Sequence, residues 1–194
     1  VSVHSSDPPN PWEGYQRALL SGLDAPENPT HVLVIQEDTI VCRNFSRTLL
    51  RIAAAKQDEP VVLFLSWLPP AVAKDAREAM IRGDRYFRHR PAKFCSVVAV
   101  LWPVEAARRF LSWAQSGVKL PGYPDRVASD DACLGDWIRR KKETVWVALP
   151  SLVEHPDTVE SVKGRQNALW GKDRGRCALN FIGERNPLEL DWSD

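Results

Sequence analysis

The chain has 194 residues, 44% of them hydrophobic and 26% charged, which is enough for one well-filled core and predicts a single domain. Its formal net charge of +1 at pH 7 supplies no global field toward nucleic acid or an anionic membrane, so such contacts would need a local patch. No apolar run approaches the roughly 20 residues of a membrane span, and VSVHSSDPPN lacks the basic-then-apolar order of a signal peptide. The expectation is a cytoplasmic enzyme without membrane contact, a monomer or small homo-oligomer.

In chain order, Val1 to His4 reads as a short strand, and the proline-rich SSDPPNPWEG leads into a helix that begins near Pro11 or Trp12 and runs to Leu23. Trp12 reads as a packing anchor. The run Val32 to Ile35 suits a strand buried on both faces, with Glu37 and Asp38 emerging together at its C-terminal end. Asn44 or Ser46 can start a helix to about Ala55, with Phe45, Leu49, Leu50 and Ile52 on its apolar side. Val61 to Leu65 is the next buried strand, SWLPP breaks the chain, and Ala71 to Ile81 is helical.

Arg82, Arg85, Arg88, His89, Arg90 and Lys93 then form a basic segment with Tyr86 and Phe87 interleaved. Phe94 to Leu101 is a strand, Pro103 takes a first-turn helix position, and Val104, Ala107, Phe110 and Leu111 repeat at helical spacing. A helix from about Asp130 to Arg140 follows, then a strand from Val145 to Ala148 and the loop SLVEHPD. The tail from Val159 carries Lys163, Arg165, Lys172, Arg174 and Arg176 among glycines. Cys42, Cys95, Cys133 and Cys177 are widely spaced without a CxxC, which predicts free, mostly buried thiols. Strands alternating with helices predict a three-layer α/β/α sandwich.

In an open α/β sheet, ligands bind beyond the carboxyl ends of the strands. Carboxylates placed there can hold a hard cation that in turn grips phosphate oxygens, so Glu37 and Asp38 predict a metal and nucleotide site. An acidic pair that merely solvates a strand end before a turn explains the same residues. Ser129 or Asp130 can cap the helix that follows, and Asp130 with Asp131 would complement its N-terminal partial charge.

Four pieces, HSSDPPNPWEGYQRALLSG, HVLVIQEDTIVCRNF, VASDDACLGDWI and ALPSLVEHPDTVESVKG, taken in that order and spacing, resemble the GT-A type glycosyltransferases. The resemblance is to the small, TET-associated kind encoded beside DNA-modification genes in bacteriophages and some bacteria. It implies a Rossmann-like α/β fold with a mostly parallel central sheet. About 1–100 would bind the sugar nucleotide, and about 101–194 would receive the acceptor and carry the tail.

It further implies that Gln36, Glu37 and Asp38 occupy the place of the DxD motif, with Gln36 at the first acidic position. Asp38 is then a ligand of Mn or Mg, while Glu37 meets the ribose or the metal through water. His155 completes the metal shell or touches the donor phosphates, Glu154 being turned the other way along the strand. Asp131, with Asp130 second, resembles the acidic residue of the family's xED motif, which faces the acceptor and in inverting members acts as base toward its hydroxyl. His4, Ser5, Ser6 and Asp7 would hold base and ribose and Arg17 the diphosphate, although Arg17 fits a solvated helix face equally.

The donor implied is a nucleotide sugar, first of all a UDP-sugar, and the acceptor a 5-hydroxymethylpyrimidine in phage DNA, handled in the host cytoplasm. The basic run and tail would track the phosphate backbone. A protein or glycan acceptor, a metal-dependent phosphoesterase or nuclease, and a non-catalytic nucleotide-binding domain are the alternative readings.

Overall fold

The computed structural model describes residues 11–66, 70–90, 95–115, 130–155 and 177–193. The expected strand at Val1 to His4, the nucleotide-binding candidates His4, Ser5, Ser6 and Asp7, and the basic tail from Lys163 to Arg176 lie outside the described residues, as do Lys93, Phe94 and Ser129.

Among the described residues five helices and seven short strands follow in the order α1 (Pro11–Leu23), β1 (His31–Ile35), β2 (Ile40–Val41), α2 (Phe45–Ala55), β3 (Val61–Val62), α3 (Pro70–Arg82), β4 (Tyr86–Arg88), β5 (Ala99–Pro103), α4 (Val104–Gln115), α5 (Asp130–Lys141), β6 (Trp146–Ala148) and β7 (Val153–Glu154). A 3-10 turn, Pro187–Glu189, follows near the end. The main sheet has the order β1-β5-β3-β6-β4, and β2 pairs with β7 in a separate ribbon.

Side chains alternate across the sheet as the pleat requires. Val32, Val34, Val62, Val100, Trp102 and Val147 join Tyr15 and Leu19 of α1, Val72 and Ala76 of α3, Phe110 of α4, and Leu134 and Trp137 of α5 in one core cluster. Val61, Leu63, Ala99, Leu101 and Ala148 pack on the other side with Ile52 of α2, Cys42, Val153, Ile182 and Trp192. The protein is therefore mixed α/β with helices on both faces of the sheet. Trp12 packs as an anchor, stacked on Tyr15 and edge-on to Phe110.

The sheet is not mostly parallel. Of its pairings, β1 with β5, β3 with β5 and β4 with β6 are antiparallel, and only β3 with β6 is parallel. A strand covered on both faces carries the same unbroken apolar run whichever way its neighbour points, so VLVI and AVLW do not encode direction.

The strand expected from Phe94 to Leu101 begins at Ala99 and ends at Pro103. Pro103 therefore closes β5 opposite His31, where its missing N–H costs no interior ladder bond, instead of opening the helix. The basic segment contains β4: Tyr86 and Phe87 are buried against β6, and His89 is buried beyond them. These rings thus form core packing and no base-stacking surface, while Arg82 and Arg90 pair with Asp84 and Asp75. Leu50, expected on the apolar side of α2, is 73% exposed. It stands two residues from both Thr48 and Ile52, the buried residues of that helix, and so faces away from them.

No helix among the described residues is long and apolar enough to cross a membrane.

Candidate functional site

The topology gathers one end of the sheet. Because β1 and β5 are antiparallel with Ile35 opposite Ala99, the C-terminal end of β1 meets the N-terminal end of β5. The Gln36 N–H extends this pairing by donating to the Val98 carbonyl at 2.9 Å. Three residues before Val98, the Cys95 N–H donates to the Asp131 carbonyl at 3.0 Å, which ties the start of α5 to the same end. β3 and β6, parallel to each other, also finish there, and β6 continues through Ser151 into β7.

The ribbon β2-β7 then sets the central contact. Ile40 lies opposite Glu154 and Val41 opposite Val153, and the Cys42 N–H donates to the Leu152 carbonyl at 2.9 Å. Asp38, just before β2, is thereby brought against His155, just after β7: Asp38 Oδ2 lies 3.0 Å from His155 Nε2. His155 is 6% exposed and its ring sits 6.4 Å from that of Phe64, so apolar packing limits its rotamers. The Asp38 side chain is 19% exposed.

Asp38 and His155 are also chemically fit for a divalent ion. Two atoms bound at adjacent corners of an octahedral ion, each at about 2.1 Å, lie about 3.0 Å apart, so the observed separation suits neighbouring positions on one ion as well as a direct hydrogen bond. An oxygen paired with an imidazole nitrogen favours Mn over Mg. Among the described residues no three His, Cys, Asp or Glu side chains converge on a metal position. A pair leaves the remaining corners to water and phosphate oxygens, as Mg-type sites on phosphate substrates do.

Glu37 is exposed and Gln36 half-buried at the strand end, next to Asp38. Asp130 and Asp131 occupy the first turn of α5, and each places Oδ1 to accept the following residue's N–H, at 3.0 and 2.8 Å. That contact suits a helix start, where anionic side chains are stabilised, and it leaves the second oxygen of Asp131 for other chemistry. Arg17 pairs with Glu13 at 3.5 Å on the outer face of α1, both side chains about half exposed, which matches a solvated helix face. The groove between α1 and α4, lined by Leu20, Leu23, Asp24, Arg108, Leu111, Ser112 and Gln115, carries none of the candidate residues.

Two residues of this end carry no sequence signal of their own. Thr39, next to Asp38, has a buried hydroxyl without a hydrogen-bond partner among the described residues. Ser151 is buried, and its Oγ accepts the Leu65 N–H at 3.1 Å, joining the end of β3 to the lead-in of β7. Only a chain that doubles back gives these two their place.

No family model matches the chain, and no curated protein matches it.

Proposed function

We propose that the protein is a metal-dependent glycosyltransferase of the GT-A type, moving a sugar from a nucleotide-sugar donor, first of all a UDP-sugar, to a hydroxyl acceptor. The observation that carries this reading is the contact between Asp38 and His155 at the end of the sheet where β1, β3 and β6 finish. Asp38 Oδ2 and His155 Nε2 would hold Mn, which when bound neutralises the diphosphate as it departs. Burial of His155 against Phe64 keeps the imidazole in place for that task. Gln36 and Glu37 lie at the same strand end, where Glu37 would meet the donor ribose or the metal through water.

Asp131 serves as the base. Its Oδ1 accepts the Ala132 N–H, which fixes the carboxylate, and Oδ2 takes the proton of the acceptor hydroxyl as the new bond forms. Its tie to Cys95 puts it on the same end of the sheet as Asp38. The acceptor class is a 5-hydroxymethylpyrimidine in DNA. The residue resemblance carries that choice, together with the exposed Arg88 and the basic composition of the tail.

The test is to incubate the protein with Mn, a panel of sugar nucleotides and DNA containing 5-hydroxymethylpyrimidines, and to read nucleoside masses. A sugar-sized mass gain on the modified pyrimidine is the expected result. Cleaved phosphodiesters would replace the reading with a nuclease, and donor binding without turnover would replace it with a binding module.

A further inference from the structure

Glu154 follows the buried Val153 and precedes the buried His155, so alternation along β7 turns its side chain to the opposite side from the imidazole. It does not approach the Asp38 and His155 pair as a third ligand. Its Oε1 instead accepts two backbone N–H groups, from His155 at 2.9 Å and from Ala178 at 2.7 Å. One carboxylate oxygen thus joins the backbone of a candidate ligand to a segment that returns to the sheet much later in the chain.

That returning segment is itself anchored. The Leu179 N–H donates to the Leu65 carbonyl at 2.7 Å, the Ser151 N–H to Asn180 at 2.8 Å, and the Ile182 N–H to Ser151 at 3.0 Å. Ser66 and Ala178 form an isolated antiparallel bridge. Ala178 is therefore a fixed point, and a charge-assisted bond from it through Glu154 holds the His155 amide in one place. Without it, the His155 amide would lose its bond to Glu154 at the position where the imidazole meets Asp38.

From this geometry we infer that Glu154 is a positioning residue: it clamps the His155 backbone to the Ala178 backbone and so sets the imidazole at its separation from Asp38. The inference rests on the proposed metal corner for its consequence and on the two amide bonds for its existence. Removal of partners that orient ligands typically weakens metal affinity about 10–100-fold.

The test compares Glu154→Gln, which keeps an acceptor oxygen but loses the charge, with Glu154→Ala, which loses both. Hydrogen exchange of the His155 and Ala178 amides reads the clamp itself: protection is expected in wild type and Glu154→Gln and lost in Glu154→Ala. Manganese titration, followed by the paramagnetic signal of the free ion, reads the consequence. Affinity close to wild type is expected for Glu154→Gln and about 10–100-fold weaker for Glu154→Ala. Leu19→Ala, a destabilised core variant in α1 within the other core cluster, should keep wild-type affinity.

Unchanged amide protection in Glu154→Ala overturns the clamp. Equal loss of affinity in both Glu154 variants also overturns it, making Glu154 a ligand, and an equal loss in Leu19→Ala reduces the effect to general stability. A wild-type protein that binds no manganese contradicts the proposed function, and the exchange measurement still decides the clamp.

Discussion

Asp38 Oδ2 lies 3.0 Å from His155 Nε2 because Ile40 stands opposite Glu154 in an antiparallel ribbon of two short strands. The register is decisive: a slip of one residue in β2 or β7 would turn one of the two side chains to the other face and separate them. The pair thus depends on backbone hydrogen bonds that local sequence does not specify. Its two members come from opposite halves of the chain and meet where the strands end.

Asp131→Asn retains an oxygen to accept the Ala132 N–H, so the first turn of α5 should form as before. Manganese and donor binding should be unchanged while transfer falls by about 10²–10⁴-fold, the usual contribution of a general base. Steady-state kinetics with separate donor-binding measurements checks this. Unchanged turnover would confine Asp131 to stabilising the helix start.

Acidification should destabilise the fold through His89. This residue is 4% exposed; burial pulls its pKa below the ordinary 6.5, against the opposing effects of the Arg90 carbonyl and Asp75. The unfolded chain therefore takes up the proton more readily than the native one. Stability is fully present above about pH 6.5 and is lost progressively as pH falls through the folded-state pKa. Urea midpoints at about pH 7.5 and about pH 5.5 should differ more in wild type than in His89→Gln; equal differences would show that His89 makes no contribution.

Thiol reactivity should single out Cys177. Burial pushes the Cys42 thiol up to about 11 and the Cys133 thiol up to about 12, and raises Cys95 further. Little thiolate then exists at neutral pH in these three, whereas Cys177 is only half-buried. Peptide mapping after brief alkylation of the native protein should find label on Cys177 first. Early labelling of Cys95 would contradict the packing of the lead-in to β5.

The buried hydroxyl of Tyr15 has a structural use. Trp102 Nε1 donates to it at 2.8 Å inside the cluster formed by α1, β5 and α5. Tyr15→Phe leaves the indole N–H unsatisfied and should cost about 1–3 kcal/mol, read by thermal or chemical denaturation. Manganese affinity should not follow, because Tyr15 belongs to the other core cluster from Cys42 and Val153, which flank the ribbon that carries the pair.

Much of the fold is written in local signals, and the exceptions have physical reasons. Asp130 to Arg140 reads as a helix from its acidic start and basic end, and α5 spans Asp130–Lys141. VLVI reads as a buried strand, and β1 is His31–Ile35. In contrast, β4 hides inside a basic run because only Tyr86 and Phe87 mark it, and two-residue strands such as β2 and β7 are too short for any period to show.

Strand direction is likewise invisible, since covered strands look alike either way. In the site, Asp38 stands out at a strand end and His155 through the resemblance, yet their contact is a matter of long-range register. Glu154 is legible only once Ala178 is known to return beside it.

If Asp38 and His155 together hold the metal of a sugar-nucleotide site, manganese titration in the presence and absence of UDP will read both of them at once. One ion per chain is expected, bound more tightly when UDP is present, with affinity lost in both Asp38→Asn and His155→Ala. Absence of manganese binding, or binding that neither substitution changes, would contradict it.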